Sequence, residues 1–487
     1  MYKKKTSNKF VGQIDLNSLL KRVVVTILIL IWVSYFRNGE NIFFDLNTAF
    51  LGTLYAAELY IFLVFEKKRR DPFLIILCFQ STFYFLFRIL TLSIYTFSVA
   101  FERFQFTSND LNYALVYIIF ANLALFIGFY LNKVKEVEYR LDQKFQPKNV
   151  YKVFLIFLFG FIMSFPSVMR LFSMERILAM TASLFVDLQT IMLMIIIYLM
   201  MFKDKISISY RILLIVSLLL YIVMETLVGS RGAILTIIYF ILFSTLSIQR
   251  TFYIKKSILI SSVIVVPVLI LIFTVSTFLR PKLEKRENVN TETISVLKEF
   301  NFIETFTNNS EYVLSPIFDR IGYLDFAAEL IAHKKIYDPI FTLKYYGKSI
   351  LDNIITPGFD VFNTPKITNS QRFIYNNDGI PQKSKVDESY HSDEFTIYGE
   401  FYMVFGEWFS LIAMFLFAFL FKRIYVKLSG NNIFEICVKR SIILMVFYYF
   451  IQSYGIDWIA ALTLGFIVTY FLFKRFFNFR IQNPVIK

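Results

Sequence analysis

Cysteine and histidine are almost missing from this chain: 487 residues contain two of each, Cys78, Cys437, His333 and His391. So few thiols exclude a disulfide framework, and no Cys/His spacing fits structural zinc. No glycine-rich phosphate loop of the GxxxxGK type occurs, and the basic connectors are too short to hold an ATPase or a nucleotide-sugar domain. Any transfer chemistry must then use a donor that is already activated, and no cofactor is expected. A small-residue cleavage site is also missing after the first apolar run, so the amino terminus reads as an uncleaved signal-anchor. No internal repeat relates one half of the chain to the other.

What the chain has in excess is apolar and aromatic surface: 57% of residues are hydrophobic and 19% aromatic, with 59 Phe and 30 Tyr. The mean hydropathy is positive, at +0.58. Soluble domains are far less apolar, and the apolar runs here reach bilayer-spanning length. The expected fold is an all-α polytopic membrane protein of about twelve transmembrane helices. The spans begin near Val23, Phe43, Pro72, Leu111, Val150, Thr181, Ile208, Arg231, Lys256, Ile397, Phe434 and Asp457.

Positive charge sets the orientation, because Lys and Arg stay on the cytoplasmic side. Lys3 to Lys5, Lys21 and Arg22 precede the first span, Lys67 to Arg70 follow the second, and Lys133 to Lys148 follow the fourth. Lys203, Lys205, Arg211, Arg250, Lys255 and Lys256 mark further inner loops, as do Lys422, Arg423, Lys427, Lys439 and Arg440. Both termini are then cytoplasmic. The net charge of +15 is largely these loops, which argues against a nucleic-acid partner.

One polar excursion interrupts this pattern, and it faces outward in the same topology. It divides the chain into a bundle of about nine helices over residues 1–280, a large outer loop over 281–396, and about three helices over 397–487. Within the loop, Ile321, Leu324, Ala328 and Ile331 recur at helical spacing over Phe318 to His333. That spacing predicts an amphipathic helix lying on the membrane or on the bundle, with a second over Tyr345 to Ile355. Thr356 to Ser389, rich in Pro, Gly, Asn, Asp and Ser, reads as irregular loop.

Several charged residues fall where chemistry or structure could claim them. Arg231 lies in Gly229-Ser230-Arg231-Gly232, at the outer membrane surface. Its planar fork suits either a pyrophosphate held at headgroup level or an interfacial snorkelling role. Arg280 ends the ninth span and Arg320 opens the amphipathic helix, so each is an interfacial anchor or part of one anion site. Arg88, Asp187 and Glu225 sit in the outer half of the bilayer, which suggests a polar cavity, and Glu58 offers Arg88 a structural partner. His391, just before the tenth span, is a candidate general base or a plain surface histidine. Glu400, one turn before Gly406 and Glu407, either orients an acceptor hydroxyl or stabilises a helix start. Tyr398, Tyr402 and Trp408 make an aromatic set suited to sugars or to the membrane interface.

Gly229-Ser230-Arg231-Gly232, Asp319-Arg320-Ile321-Gly322 and the stretch Ser389 to Gly406, with Gly399-Glu400, Tyr402 and Phe405-Gly406, together resemble the Wzy-type oligosaccharide repeat-unit polymerases of O-antigen and capsule assembly. One departure is Ile355-Thr356-Pro357-Gly358, where such polymerases often carry an arginine after the proline. The resemblance implies a bacterial cytoplasmic-membrane glycosyltransferase. Its donor would be a glycan on undecaprenyl pyrophosphate and its acceptor a lipid-linked repeat unit, with a flippase and a chain-length regulator as partners. It assigns Arg231, Arg280 and Arg320 to the pyrophosphate and His391 or Glu400 to the acceptor hydroxyl. An O-antigen ligase is the near alternative, with the same donor. A lipid-linked oligosaccharide flippase is the distant one, against which count the large loop and the expectation of unbroken helices without related halves.

Overall fold

The computed structural model describes residues 13–94, 106–132, 147–169, 191–197, 199–200, 207–227, 233–249, 253–255, 323–332, 342–355, 396–428 and 433–452, with isolated positions at 271, 274–275, 301, 459, 463–467 and 470–471. The regular elements among these residues are helical apart from a short antiparallel ribbon, β1 (Gln13–Asp15) paired with β2 (Tyr253–Lys255). Asp15 ends that ribbon and accepts from Asn17 N at 3.3 Å, which starts α1 (Leu16–Asn38).

Next come α2 (Leu46–Arg69), α3 (Pro72–Gln80), a π-helical turn (Ser81–Leu86) and α4 (Phe87–Ile94). α5 (Ser108–Leu131), α6 (Pro147–Met169), α7 (Ile208–Leu227) and α8 (Ala233–Gln249) follow. The remaining helices are α9 (Tyr323–Ala332), α10 (Leu343–Ile355), α11 (Ile397–Phe405), α12 (Glu407–Lys427) and α13 (Ile433–Gln452). Among the described residues, five helical stretches are long and apolar enough to cross a bilayer: α1, α2, the continuous Pro72–Ile94 segment, α5 and α12. The protein is thus a helical membrane protein by length and composition.

The starts of these helices follow local chemistry. Asp45 caps α2 in a reciprocal box with Thr48, accepting from Thr48 N at 2.7 Å, and Thr107 does the same for α5 with Asp110. α3 opens with Pro72 in its first turn, where a missing N–H costs nothing, behind the capping carboxylate of Asp71.

The segment Pro72–Ile94 is the axis of the bundle: 83% of its apolar stretch is buried, against 28% for α1 and for α12. α2 and α13 pack on α3, and α1 packs on α4. The most extensive helix pair is α5 with α12, where Gly128 brings the backbones together. A Cβ at Gly128 would stand 2.5 Å from the Phe415 carbonyl oxygen. Large apolar side chains on the outer faces of α1 and α12, such as Phe36, Phe409 and Ile412, are exposed, as a lipid-facing surface requires.

One expectation from the sequence is narrowed and one corrected. Of the two places expected for the first loop helix, Tyr323–Ala332 takes the one on the bundle: Leu324, Ala328 and Leu330 are wholly buried, and it packs against α5, α11 and the π turn. The tenth span is not one helix from Ile397. It breaks at Gly406, whose φ of +74° and ψ of 176° suit glycine alone, and only α12 is of spanning length. The second loop helix is found over Leu343–Ile355, two residues earlier than expected.

Candidate functional site

Polar side chains are concentrated on the most buried helix. From the basic end upward, Asp71, Gln80, Ser81, Thr82, Tyr84, Arg88 and Ser93 are all buried on the Pro72–Ile94 axis. The π turn at Ser81–Leu86 falls in the middle of this column. Such turns widen the helix by one residue and recur at functional positions.

At the basic end, the Lys422 ammonium donates to Asp71 and to the Phe129 carbonyl, with both ionic side chains 2% exposed or less. Arg69 nearby donates to the Tyr130 carbonyl while its guanidinium stacks over the Tyr130 ring, 3.4 Å from the centroid. These contacts gather residues that the charge pattern assigned to inner loops at one end of the bundle.

Midway, Asn122 of α5 donates to the Tyr55 hydroxyl at 2.9 Å and accepts from the Tyr398 hydroxyl at 2.5 Å, with Ser81 Oγ at 3.5 Å. Asn122 stands roughly 20 Å along α5 from its start, given 1.5 Å per residue. Tyr402, one turn after Tyr398, packs edge-on against Tyr117, with ring centroids 4.9 Å apart. α11 therefore runs antiparallel to α5, with its first turn deep in the bundle. At Gly406 the chain reverses, and α12 descends beside α5, with Tyr117 donating to Ser410 at 2.9 Å and Asn132 to the Phe419 carbonyl at 2.9 Å. The pair α11 and α12 is a helical hairpin that turns at Gly406, beside the first half of α5.

A second hydroxyl group lies on the other side of the π turn. Tyr84 is hydrogen-bonded to Tyr239 and to Tyr448, each at 3.0 Å, and Gln80 donates to the Tyr448 carbonyl at 2.8 Å. Tyr323 of α9 packs edge-on against Tyr84, with centroids 4.9 Å apart. Above them, about 9 Å below the end of α4, the Arg88 guanidinium grips Asp325 of α9, and Nε lies 3.1 Å from both carboxylate oxygens.

Of the residues proposed from sequence, Arg88, Glu400, Tyr398 and Tyr402 are all buried in this region. Arg88 pairs with Asp325 rather than Glu58, so the Glu58 pairing is corrected. Glu400 is 1% exposed in the first turn of α11, inside the bundle rather than at the top of a span. Tyr398 and Tyr402 are interior, whereas Trp408 is 69% exposed, so the three form no common sugar platform. Glu225 lies on α7. Arg231, Arg280, Arg320, His391 and Asp187 lie outside the described residues.

Sequence reasoning missed Asp325, Asn122, Ser81, Tyr55, Tyr84, Tyr239 and Tyr448. Asp325 had a usable signal: it falls three residues before Ala328 and four after Ile321, on the apolar stripe of its own helix, where an acid needs a partner. Among the described residues no group of three or more His, Cys, Asp or Glu side chains could hold a metal ion. No protein family, curated protein or solved structure matches the chain.

Proposed function

We propose that this chain is a glycosyltransferase of the repeat-unit polymerase type, acting at the outer face of a bacterial cytoplasmic membrane. In this reading it carries about twelve spans, cytoplasmic termini and an outer loop over residues 281–396. It moves a growing glycan from undecaprenyl pyrophosphate onto the terminal sugar of a lipid-linked repeat unit. Arg231, Arg280 and Arg320 neutralise the departing pyrophosphate, which needs no metal when fixed cations face the developing charge. His391 or Glu400 takes the acceptor proton. The burial of Glu400 requires the acceptor to enter the bundle for that residue to act.

The observation that carries the reading is the position of α9 and α11. Helices from the long polar stretch and from the segment that follows it are seated against the polar axis of the membrane bundle, next to Arg88, Asp325 and seven buried tyrosines. A lipid-linked sugar needs such a meeting of apolar wall, hydroxyl donors and charge below the headgroup level. An O-antigen ligase would use the same donor and differ in its acceptor.

The test is polymer yield in cells at equal protein level. Arg231→Ala and Arg320→Ala should each abolish long chains, and His391→Gln should slow transfer while leaving donor binding intact. Full polymer in both arginine variants would remove the pyrophosphate clamp.

One observation favours a second reading, a lipid-linked oligosaccharide flippase. The break at Gly406 and the buried first turn of α11 are features that transporters place at their substrate sites.

A further inference from the structure

Glu58 of α2 is a charge that no contact among the described residues accounts for. Both of its carboxylate oxygens are enclosed by protein, and neither has a hydrogen-bond partner. Glu58 lies one helical turn beyond Tyr55, at roughly half the length of α2. Among the described residues, Tyr55 on its own helix, Cys78 on α3 and Tyr398 on α11 feel its charge. None of the three carries positive charge. The two buried cations of the column are committed elsewhere, Arg88 to Asp325 and Lys422 to Asp71, and Lys21 of α1 lies over the Tyr60 ring. A bare carboxylate at this depth costs several kcal/mol, so such groups mark sites where something neutralises them.

We propose that Glu58 binds a small monovalent cation, a proton or a sodium ion, in the middle of the membrane bundle. Among the described residues no positive group meets the Glu58 carboxylate, so the proposal takes the neutralising species from solution. The location gives the site a consequence. Tyr55 accepts from Asn122, and Asn122 accepts from Tyr398, the residue that anchors the deep end of α11. Occupancy at Glu58 therefore acts one turn from the contact that holds the α11–α12 hairpin. The polymerase reading assigns nothing to this residue, and the proposal stands or falls without it.

The test compares the full-length wild-type protein with Glu58→Gln in lipid nanodiscs, following thermal unfolding against sodium chloride at constant ionic strength (choline as replacement) and against pH. Gln keeps the size of the side chain and removes its need for a cation. A sodium site predicts a wild-type rise of roughly 2 °C per tenfold sodium that Glu58→Gln lacks. A proton site predicts no sodium effect and a wild-type fall at alkaline pH that Glu58→Gln lacks. Identical sodium and pH responses in the two proteins would overturn the proposal. Should Glu58→Gln fail to fold, dicyclohexylcarbodiimide labelling of the wild type decides, because the reagent modifies protonated carboxyls in apolar surroundings. Glu58 labelling that falls at least about tenfold with added sodium or with alkali supports the site. Absence of labelling from acid to neutral pH, in sodium-free buffer, overturns it.

Discussion

Arg88 and Asp325 are 237 positions apart in sequence and joined in the interior: Nη2 of Arg88 lies 2.5 Å from Oδ2 of Asp325, with side-chain exposures of 2% and 0%. This pair fastens α9, a helix of the long polar stretch, to the axial membrane helix. Removing one partner strands the other charge in a dry site, which costs about 3–5 kcal/mol, whereas an apolar pair of similar volume is often tolerated. Arg88→Met and Asp325→Leu should each lower the melting temperature sharply and expose α9 to protease. The double variant should recover most of the loss. Additive losses in the double variant would show that the two residues act separately.

The close approach of α5 and α12 depends on Gly128. An added Cβ meets backbone, the Phe415 carbonyl oxygen at 2.5 Å and Phe419 N at 3.1 Å, and these cannot swing aside like a side chain. Gly128→Ala should destabilise by about 1–3 kcal/mol through overpacking, and Gly128→Leu by more. Unfolding in detergent with rising denaturant measures both.

Gly406 makes the reversal between α11 and α12. At φ +74° and ψ 176° a residue with a Cβ is strained by about 1–3 kcal/mol. Gly406→Ala should therefore reduce stability, or straighten the hairpin and free Tyr398 from Asn122. Protease cleavage within α11 should rise in Gly406→Ala over the wild type, and equal cleavage in the two would contradict this.

Much of the helical scaffold is legible from hydropathy and capping residues. The starts expected near Phe43, Pro72 and Leu111 fall within about three residues of α2, α3 and α5, because Asp45, Asp71 and Thr107 announce them. The site is far less legible. α11 and α12 read as one apolar run because hydropathy does not register a single glycine, and a buried α9 has the same periodicity as one lying on a membrane. The partner of Arg88 was misplaced because Glu58 and Asp325 are equally acidic, and only the packing of α9 on the π turn chooses between them. Asn122, a lone polar residue inside an apolar run, carried a signal without a direction.

Asp45 should give the amino-terminal end of α2 a pH dependence. Burial pushes its carboxyl up, but hydrogen bonds from Thr48 N, the Asn112 amide and the Thr48 hydroxyl outweigh this and hold it below its ordinary value. A carboxyl held low contributes stability above its unfolded value, near pH 4, and loses that contribution as pH falls through the folded one. Melting temperature should drop below about pH 4 in the wild type and drop less in Asp45→Asn, whose stability is lower from the outset. Parallel curves for the two proteins would contradict this.

The functional claim meets its most direct test in the host's surface glycan. Deleting the gene and separating the glycan by gel distinguishes single repeats from long chains by size. Polymerisation predicts loss of the ladder with single repeat units still displayed, restored by the intact gene and not by Arg231→Ala. Loss of every surface unit, with lipid-linked repeats trapped inside the cell, would contradict the polymerase and leave the flippase.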